Sequence, residues 1–323
     1  MNFKLSSDAS GAYVPAGIDA NSKRLNPLSG FGSALSQKSM LVDGVKVNYF
    51  EAGSGDRCIL LIHGGLNSTA LSTWSLRNGF LEDMSHDFRV IAPDLPGYGE
   101  SEKPDKCSQS YYVEFIKDFL SGLGVKKATL AGTSLGGGIA LGFAIENPVL
   151  VDALILIGPY GISESTIPKP LQIAARFPKI SGSAIKFLYR HNKAVGWALS
   201  KLVRDKEKED AIKNGIKVMN KEGVQKAFYE FMADEAKVSI TSMVKRKGKK
   251  LKTDYRDEIK KLDGTGIRLL IINGDKDPFV TIDDASKAIS KVAGAKLEIM
   301  KGCTHAPHYQ NPEEFKSIVR NFV

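Results

Sequence analysis

The feature that most constrains the fold is a repeated alternation of short apolar runs with longer amphipathic stretches. Seven runs rich in Ile, Leu and Val are strand candidates: 45–50, 58–63, 88–92, 128–132, 153–158, 268–273 and 297–300. Five amphipathic stretches are helix candidates: 73–83, 111–123, 135–145, 283–292 and 312–322. This alternation predicts an α/β fold, in which helices cover both faces of a mostly parallel central sheet.

The same alternation divides the chain into three parts. Residues 1–36 are rich in Ser, Gly, Ala and Asn without sustained periodicity, which is typical of a tail or a loosely packed arm. Residues 37–159 and 263–323 carry the strand pattern and form the predicted core. Between them, residues 160–262 contain helix-like segments with aromatic residues and many lysines. We therefore predict a helical cap inserted between two core strands.

Composition limits the class of protein and its partners. Of the 323 residues, 42% are hydrophobic and 25% are charged, which is typical of a soluble globular protein. The apolar runs are too short to span a membrane, and no apolar segment follows Lys4, so we expect a cytoplasmic protein. The net charge of +9 is partly concentrated in residues 245–252, where six of eight residues are basic. Because no aromatic residues interleave with them and no nucleic-acid motif surrounds them, we interpret this run as a solvated face, with a binding patch as the alternative, and expect no nucleic-acid partner.

The cysteines argue against a disulfide framework or a metal site. There are three, Cys58, Cys107 and Cys303, and their wide spacing matches neither a set of disulfides nor a zinc site. The sequence therefore implies no metal and no cofactor. It leaves the oligomeric state open, a homo-oligomer included.

The segment 132–136, Gly-Thr-Ser-Leu-Gly, follows a strand candidate and precedes a helix candidate. A serine at such a turn has strained backbone, and the glycines prevent clashes with the neighbouring strand and helix. The turn raises the Ser134 hydroxyl above the sheet edge and places the N–H of Leu135 at a helix N-terminus, which favours a developing oxyanion. We predict that Ser134 is a nucleophile and Leu135 an oxyanion-hole donor. The alternative is a glycine-rich loop in which Ser134 only caps the helix.

A serine nucleophile needs a base, and the base needs an orienting acid. His305 lies just past the last strand candidate, at the sheet edge where ligands bind. His308 is the alternative, but its place beside the last helix candidate favours a structural role. After an earlier strand candidate, Asp275 and Asp277 can both supply the acid. We prefer Asp277, because Asp275 is placed to cap the glycine turn through its own backbone N–H groups.

Residues 40–323 resemble the α/β-hydrolase superfamily, whose triad follows the chain order Ser, Asp, His. Four motifs carry the resemblance: His63-Gly64-Gly65, the segment Asp-Leu-Pro-Gly-Tyr-Gly-Glu-Ser at 94–101, the turn at 132–136, and Thr304-His305-Ala306-Pro307-His308 with 312–315 behind it. The resemblance implies that 160–262 is the lid, that the N–H of Gly65 is the second oxyanion donor, and that Asp277 is the acid. It also implies that His63 is structural.

Two branches of the superfamily compete for the function. The segment 74–78 and the segment 89–94 are similar to hydrolases that cleave carbon–carbon bonds in meta-cleavage (ring-fission) products of aromatic degradation. That group usually has Asn where this chain has Thr133, Gly where it has Thr304, and Trp where it has Ala306. We therefore expect a carboxylesterase acting on a small-molecule ester, with the carbon–carbon hydrolase as the alternative. A ligand receptor with the same fold is a third hypothesis, against which the intact triad positions argue.

Overall fold

A computed structural model describes residues 35–65, 68–104, 107–163 and 254–323, together with two short strands of the N-terminal segment. These two strands, β1 (Ser6–Ser7) and β2 (Tyr13–Val14), pair with each other in antiparallel fashion. Most of the predicted cap at 160–262, and the whole basic run at 245–252, lie outside the described residues.

The centre of the fold is an eight-stranded sheet. Its strands are β3 (Ser36–Val42), β4 (Val45–Ala52), β5 (Cys58–Ile62), β6 (Arg89–Pro93), β7 (Ala128–Thr133), β8 (Val151–Ile157), β9 (Arg268–Gly274) and β10 (Lys296–Met300). They lie in the order β10-β9-β8-β7-β5-β6-β4-β3. The six strands from β5 to β10 pair in parallel, and β3 and β4 add an antiparallel edge. The parallel strands therefore end at one edge, where the predicted catalytic residues are placed.

Helices cover both faces of this sheet. They are α1 (Ala70–Trp74), α2 (Phe80–Met84), α3 (Gln109–Gly122), α4 (Leu135–Glu146), α5 (Ile282–Ile289), α6 (Pro307–Gln310) and α7 (Pro312–Arg320), with 3₁₀ turns at Pro148–Leu150 and Glu258–Leu262. Neighbouring residues of β5 alternate between two apolar clusters, with Leu60 on the side of α3 and α4 and Leu61 on the side of α1, α2 and α7. This double burial explains why the parallel strands are almost continuously apolar.

The seven predicted strands are confirmed with shifts of one or two residues at their ends. Within the central sheet β3 was missed, because it begins with Ser-Gln-Lys-Ser and lies at the sheet edge. The short strands β1 and β2 were missed as well. The single helix predicted at 73–83 is wrong. The chain forms α1 and α2 instead, and between them the Asn78 side chain bonds the carbonyl of Thr73 and the N–H of Phe80. The helix α6 was also missed.

The chain leaves the core and returns to it at one place. The N–H of Tyr255 donates to the carbonyl of Gly161 over 2.8 Å. Tyr255 and Ile259 are buried in the cluster that contains α4. The insertion between β8 and β9 therefore begins and ends beside the helix that follows Ser134.

Candidate active site

The turn around Ser134 has the strained geometry that its sequence predicts. Ser134 joins β7 to α4 with φ 52° and ψ −117°, and it is one of two described non-glycine residues with positive φ. A Cβ on Gly132 would lie 2.3 Å from the carbonyl oxygen of Gly136, and a Cβ on Gly136 would lie 2.3 Å from that of Ile62. The backbones approach so closely that both positions require glycine.

The backbone of Ser134 is bonded to the strand beside it. Its N–H donates to the carbonyl of Ile157 over 2.9 Å, and its own carbonyl accepts the N–H of Tyr160 over 2.9 Å. Leu135 begins α4, so its N–H belongs to the helix end whose donors have no partner within the helix. The local geometry thus suits both roles predicted from the sequence, nucleophile and oxyanion donor.

Asp277 and His305 form the hydrogen bond that a catalytic pair requires. Asp277 Oδ2 lies 2.9 Å from His305 Nδ1, and the Asp277 side chain is 1% exposed against 26% for His305. The other oxygen, Oδ1, accepts the N–H groups of Phe279 and Val280 over 2.8 and 3.1 Å. Because the carboxylate accepts, the proton lies on Nδ1, and Nε2 is left as the acceptor that a general base needs.

The two neighbouring carboxylates differ in their partners. The prediction that Asp275 caps the turn through backbone N–H groups is wrong, because its Oδ1 is buried without a hydrogen-bond partner among the described residues. Asp277 instead accepts the N–H groups of Phe279 and Val280, in addition to its bond with His305. The structure therefore pairs Asp277, and not Asp275, with the histidine.

The end of β8 brings these groups together. Gly158 has φ +47°, and a Cβ placed on it would lie 3.0 Å from both His305 Nδ1 and Asp277 Oδ2. Ile157, one residue before Gly158, and Tyr160, two residues after it, are hydrogen-bonded to the backbone of Ser134. Among the described residues, His305 is hydrogen-bonded to Asp277 and no hydrogen bond joins it to the Ser134 hydroxyl.

His63 fixes the peptide that carries the second predicted oxyanion donor. Its ring is fully buried, and its Nε2 accepts the N–H of Leu95 over 2.9 Å. The proton is thus on Nδ1, which donates to the carbonyl of Gly64 over 2.7 Å. Burial lowers the pKa of His63 and keeps this neutral form. Since a trans peptide points its C=O and N–H in opposite directions, the N–H of Gly65 points away from His63.

His308 is placed as a core residue. It is 1% exposed and packs against the rings of Trp74, Tyr309 and Phe315. Burial, followed by the charges of His305 and Arg77, lowers the pKa of His308 to about 3. This neutral, enclosed ring fits the structural role predicted for it.

Two residues of the site were not found from the sequence. Gly158 was read only as the end of a strand, although a glycine followed by proline at a strand end is a usable signal. Phe279 was not singled out, and its ring lies 4.9 Å from that of His305. Among the described residues, no cluster of His, Cys, Asp and Glu is arranged to hold a metal ion, and no helix is long and apolar enough to cross a membrane.

Comparison with known proteins identifies the family. The sequence model of the alpha/beta hydrolase fold matches residues 58–312, most of the chain. The chain is an α/β hydrolase. It is 31% identical over 296 residues to an uncharacterised protein of Mycobacterium tuberculosis, covering 87% of this chain and 79% of that protein.

The proteins that are similar to this α/β hydrolase include relatives and solved structures that carry the name of a specific hydrolase. It is 27% identical over 290 residues to a 2-hydroxymuconate semialdehyde hydrolase of Pseudomonas putida, covering 88% of this chain and 93% of that enzyme. A meta-cleavage product hydrolase of Pseudomonas fluorescens superposes with a TM-score of 0.64 at 23% identity, covering 88% of this chain and 96% of that structure. The superposition supports the predicted fold.

Proposed function

We propose that this α/β hydrolase cleaves carboxylic esters, with Ser134 as nucleophile, His305 as general base and Asp277 as orienting acid. The observation that carries the proposal is the 2.9 Å hydrogen bond between Asp277 and His305, at the sheet edge that also bears the strained turn of Ser134. A carboxylate, an imidazole and a serine hydroxyl in this order form the arrangement that activates serine for acyl transfer.

The reaction begins when His305 Nε2 accepts the Ser134 proton as Oγ attacks the ester carbonyl carbon. The charge that develops on the carbonyl oxygen is bound by the N–H groups of Leu135 and Gly65, each of which contributes about 3 kcal/mol to transition-state stabilisation. The imidazolium then protonates the leaving alcohol. Water, activated by the same ring, attacks the acyl-enzyme and releases the acid.

Asp277 supports this cycle through its three donors. Two backbone N–H groups hold Oδ1 in place, so Oδ2 presents a constant acceptor to Nδ1 of His305. That bond maintains the tautomer with Nε2 unprotonated and stabilises the imidazolium formed during attack. We further propose that residues 160–262 form the lid over this site and that the protein acts in the cytoplasm.

A second candidate function is carbon–carbon bond hydrolysis. It is favoured by the relative from Pseudomonas putida, which is named for the hydrolysis of 2-hydroxymuconate semialdehyde. Against it stand the two positions where such enzymes usually carry Asn and Trp. Thr133 is buried at the end of β7, and the side chain of Ala306 has no hydrogen-bonding group.

One enzyme preparation decides between these candidates. Aryl and alkyl esters of increasing acyl length are assayed beside a ring-fission dienol acid, with Ser134→Ala protein as the control for serine dependence. We expect kcat/KM to be higher for a short or medium ester than for the dienol acid. A dienol acid turned over at least tenfold faster would replace the proposal with the second candidate. If neither the esters nor the dienol acid were hydrolysed, the ligand receptor would become the better hypothesis.

A further inference from the structure

Phe279 has an exposed ring beside a polar partner. It lies in the loop between β9 and α5, and 51% of its surface is exposed. Its ring contacts the His305 imidazole edge to face, with centroids 4.9 Å apart and planes at 69°. Burial of phenylalanine stabilises a fold, and about half of that gain is forgone here. The contact with His305 is therefore the feature of Phe279 that calls for an explanation.

The backbone of Phe279 is held in place by Asp277. Asp277 accepts the N–H of Phe279 through Oδ1 and faces His305 through Oδ2. One carboxylate thus locates both the imidazole and the residue whose ring packs against it. After Phe279 in the chain, Val280 is buried and Thr281 forms a capping box at the start of α5. The chain is therefore fixed both before and after Phe279.

The members of the hydrogen-bonded pair differ in their contact with solvent. Asp277 is enclosed, whereas about a quarter of the His305 side chain is open. Water that reaches Nδ1 competes for the bond with Asp277 and weakens the attraction between the two groups. An aromatic ring on the imidazole excludes part of that water.

We infer that Phe279 is a positioning residue of this site, which holds the His305 imidazole in the orientation set by Asp277 and shields their hydrogen bond from water. The kinetic part of this inference rests on the proposed function. The shielding part does not, because the hydrogen bond exists whatever the substrate is.

The kinetic test uses three substitutions and one control. Phe279→Ala should lower kcat for an aryl ester by about 3- to 10-fold with little change in KM, because the lost contact is to the base and not to the ester. Phe279→Tyr should keep kcat within about twofold of wild type. Phe279→Leu keeps an apolar side chain of similar bulk but loses the aromatic contact, and it should lower kcat by more than twofold. Ile282→Ala removes another exposed apolar side chain of the same segment and should leave kcat unchanged.

A spectroscopic test is independent of turnover. The Nδ1–H proton of His305, assigned by its loss in His305→Gln protein, is followed by proton NMR in water. Its exchange with solvent should be slower in the wild type and in Ile282→Ala than in Phe279→Ala. If wild-type protein hydrolyses nothing, the proposed function fails while this measurement still decides the role of Phe279.

Two outcomes would overturn the inference. One is a Phe279→Ala protein whose KM alone changes, in proportion to acyl length, with unchanged Nδ1–H exchange, which is the behaviour of a substrate contact. The other is a wild-type Nδ1–H that already exchanges as fast as in Phe279→Ala.

Discussion

A methyl group added at position 158 should damage catalysis more than stability. In the structure Gly158 lies against the proposed acid and base, with φ +47°, and the added carbon would be 3.0 Å from Asp277 Oδ2 and His305 Nδ1 and 3.1 Å from His305 Cε1. Contacts between a Cβ and such atoms are normally longer than 3.4 Å, so Gly158→Ala must push the imidazole or the carboxylate aside by several tenths of an ångström.

The expected magnitude has two parts. An L-residue in the left-handed region costs about 1 to 2 kcal/mol of stability. The displacement of the catalytic pair adds a kinetic loss, and since a 1 Å misplacement can cost about 100-fold, a smaller shift should reduce kcat by about 10- to 100-fold. Gly124→Ala is the control that separates the backbone cost from the displacement. Gly124 also has a left-handed backbone, with φ +67°, but nothing lies within 4 Å of a Cβ added to it.

Gly158→Ala and Gly124→Ala are compared by urea unfolding and by steady-state kinetics on one ester. Both should lose about 1 to 2 kcal/mol in the free energy of unfolding. Only Gly158→Ala should lose kcat. The reasoning fails if Gly158→Ala keeps kcat within twofold of wild type while it is destabilised as much as Gly124→Ala.

Three further predictions concern the nucleophile, the acid and a buried histidine. Ser134→Ala should lower kcat by about 10⁴ to 10⁶ with the far-UV spectrum unchanged, and substantial residual activity would exclude Ser134 as nucleophile. Asp277→Asn should lower kcat by about 10⁴, the loss typical of a serine protease whose orienting Asp is replaced by Asn, and a larger kinetic loss in Asp275→Asn would reverse the assignment. The pKa of His308 is about 3 in the folded chain, below its unfolded value near 6.5, so the unfolded state binds the extra proton between these limits. The free energy of unfolding should therefore fall as pH decreases from 6.5 toward 3, by up to about 1.4 kcal/mol per pH unit for this group. Urea unfolding at pH 7, 6 and 5 gives the free energy of unfolding at each pH. Its decrease with falling pH should be smaller in His308→Gln than in wild type, and unchanged in His86→Gln, which alters an exposed histidine. Equal pH slopes in wild type and His308→Gln would contradict the burial argument.

Local sequence patterns were sufficient to predict those elements of the fold that depend on burial alone. The strands β5, β7, β8 and β9 are buried on both faces, so each reads as a continuous apolar run between turn residues. The turn at Ser134 was equally readable, because the close approach of backbone at Gly132 and Gly136 leaves glycine in the sequence. Both signals come from residues that are neighbours in the chain.

Where the outcome depended on partners distant in sequence, only the tertiary structure decided it. Asp275 and Asp277 are chemically alike and two residues apart, and the choice between them follows from which carboxylate faces His305. The packing of Phe279 on the imidazole has no signature in local periodicity. The left-handed turn at Gly158 is compatible with many contexts, and its importance appears only when β9 and β10 bring the acid and the base against it. Sequence periodicity reports whether a side chain is buried, whereas these contacts depend on which elements the folded sheet sets side by side.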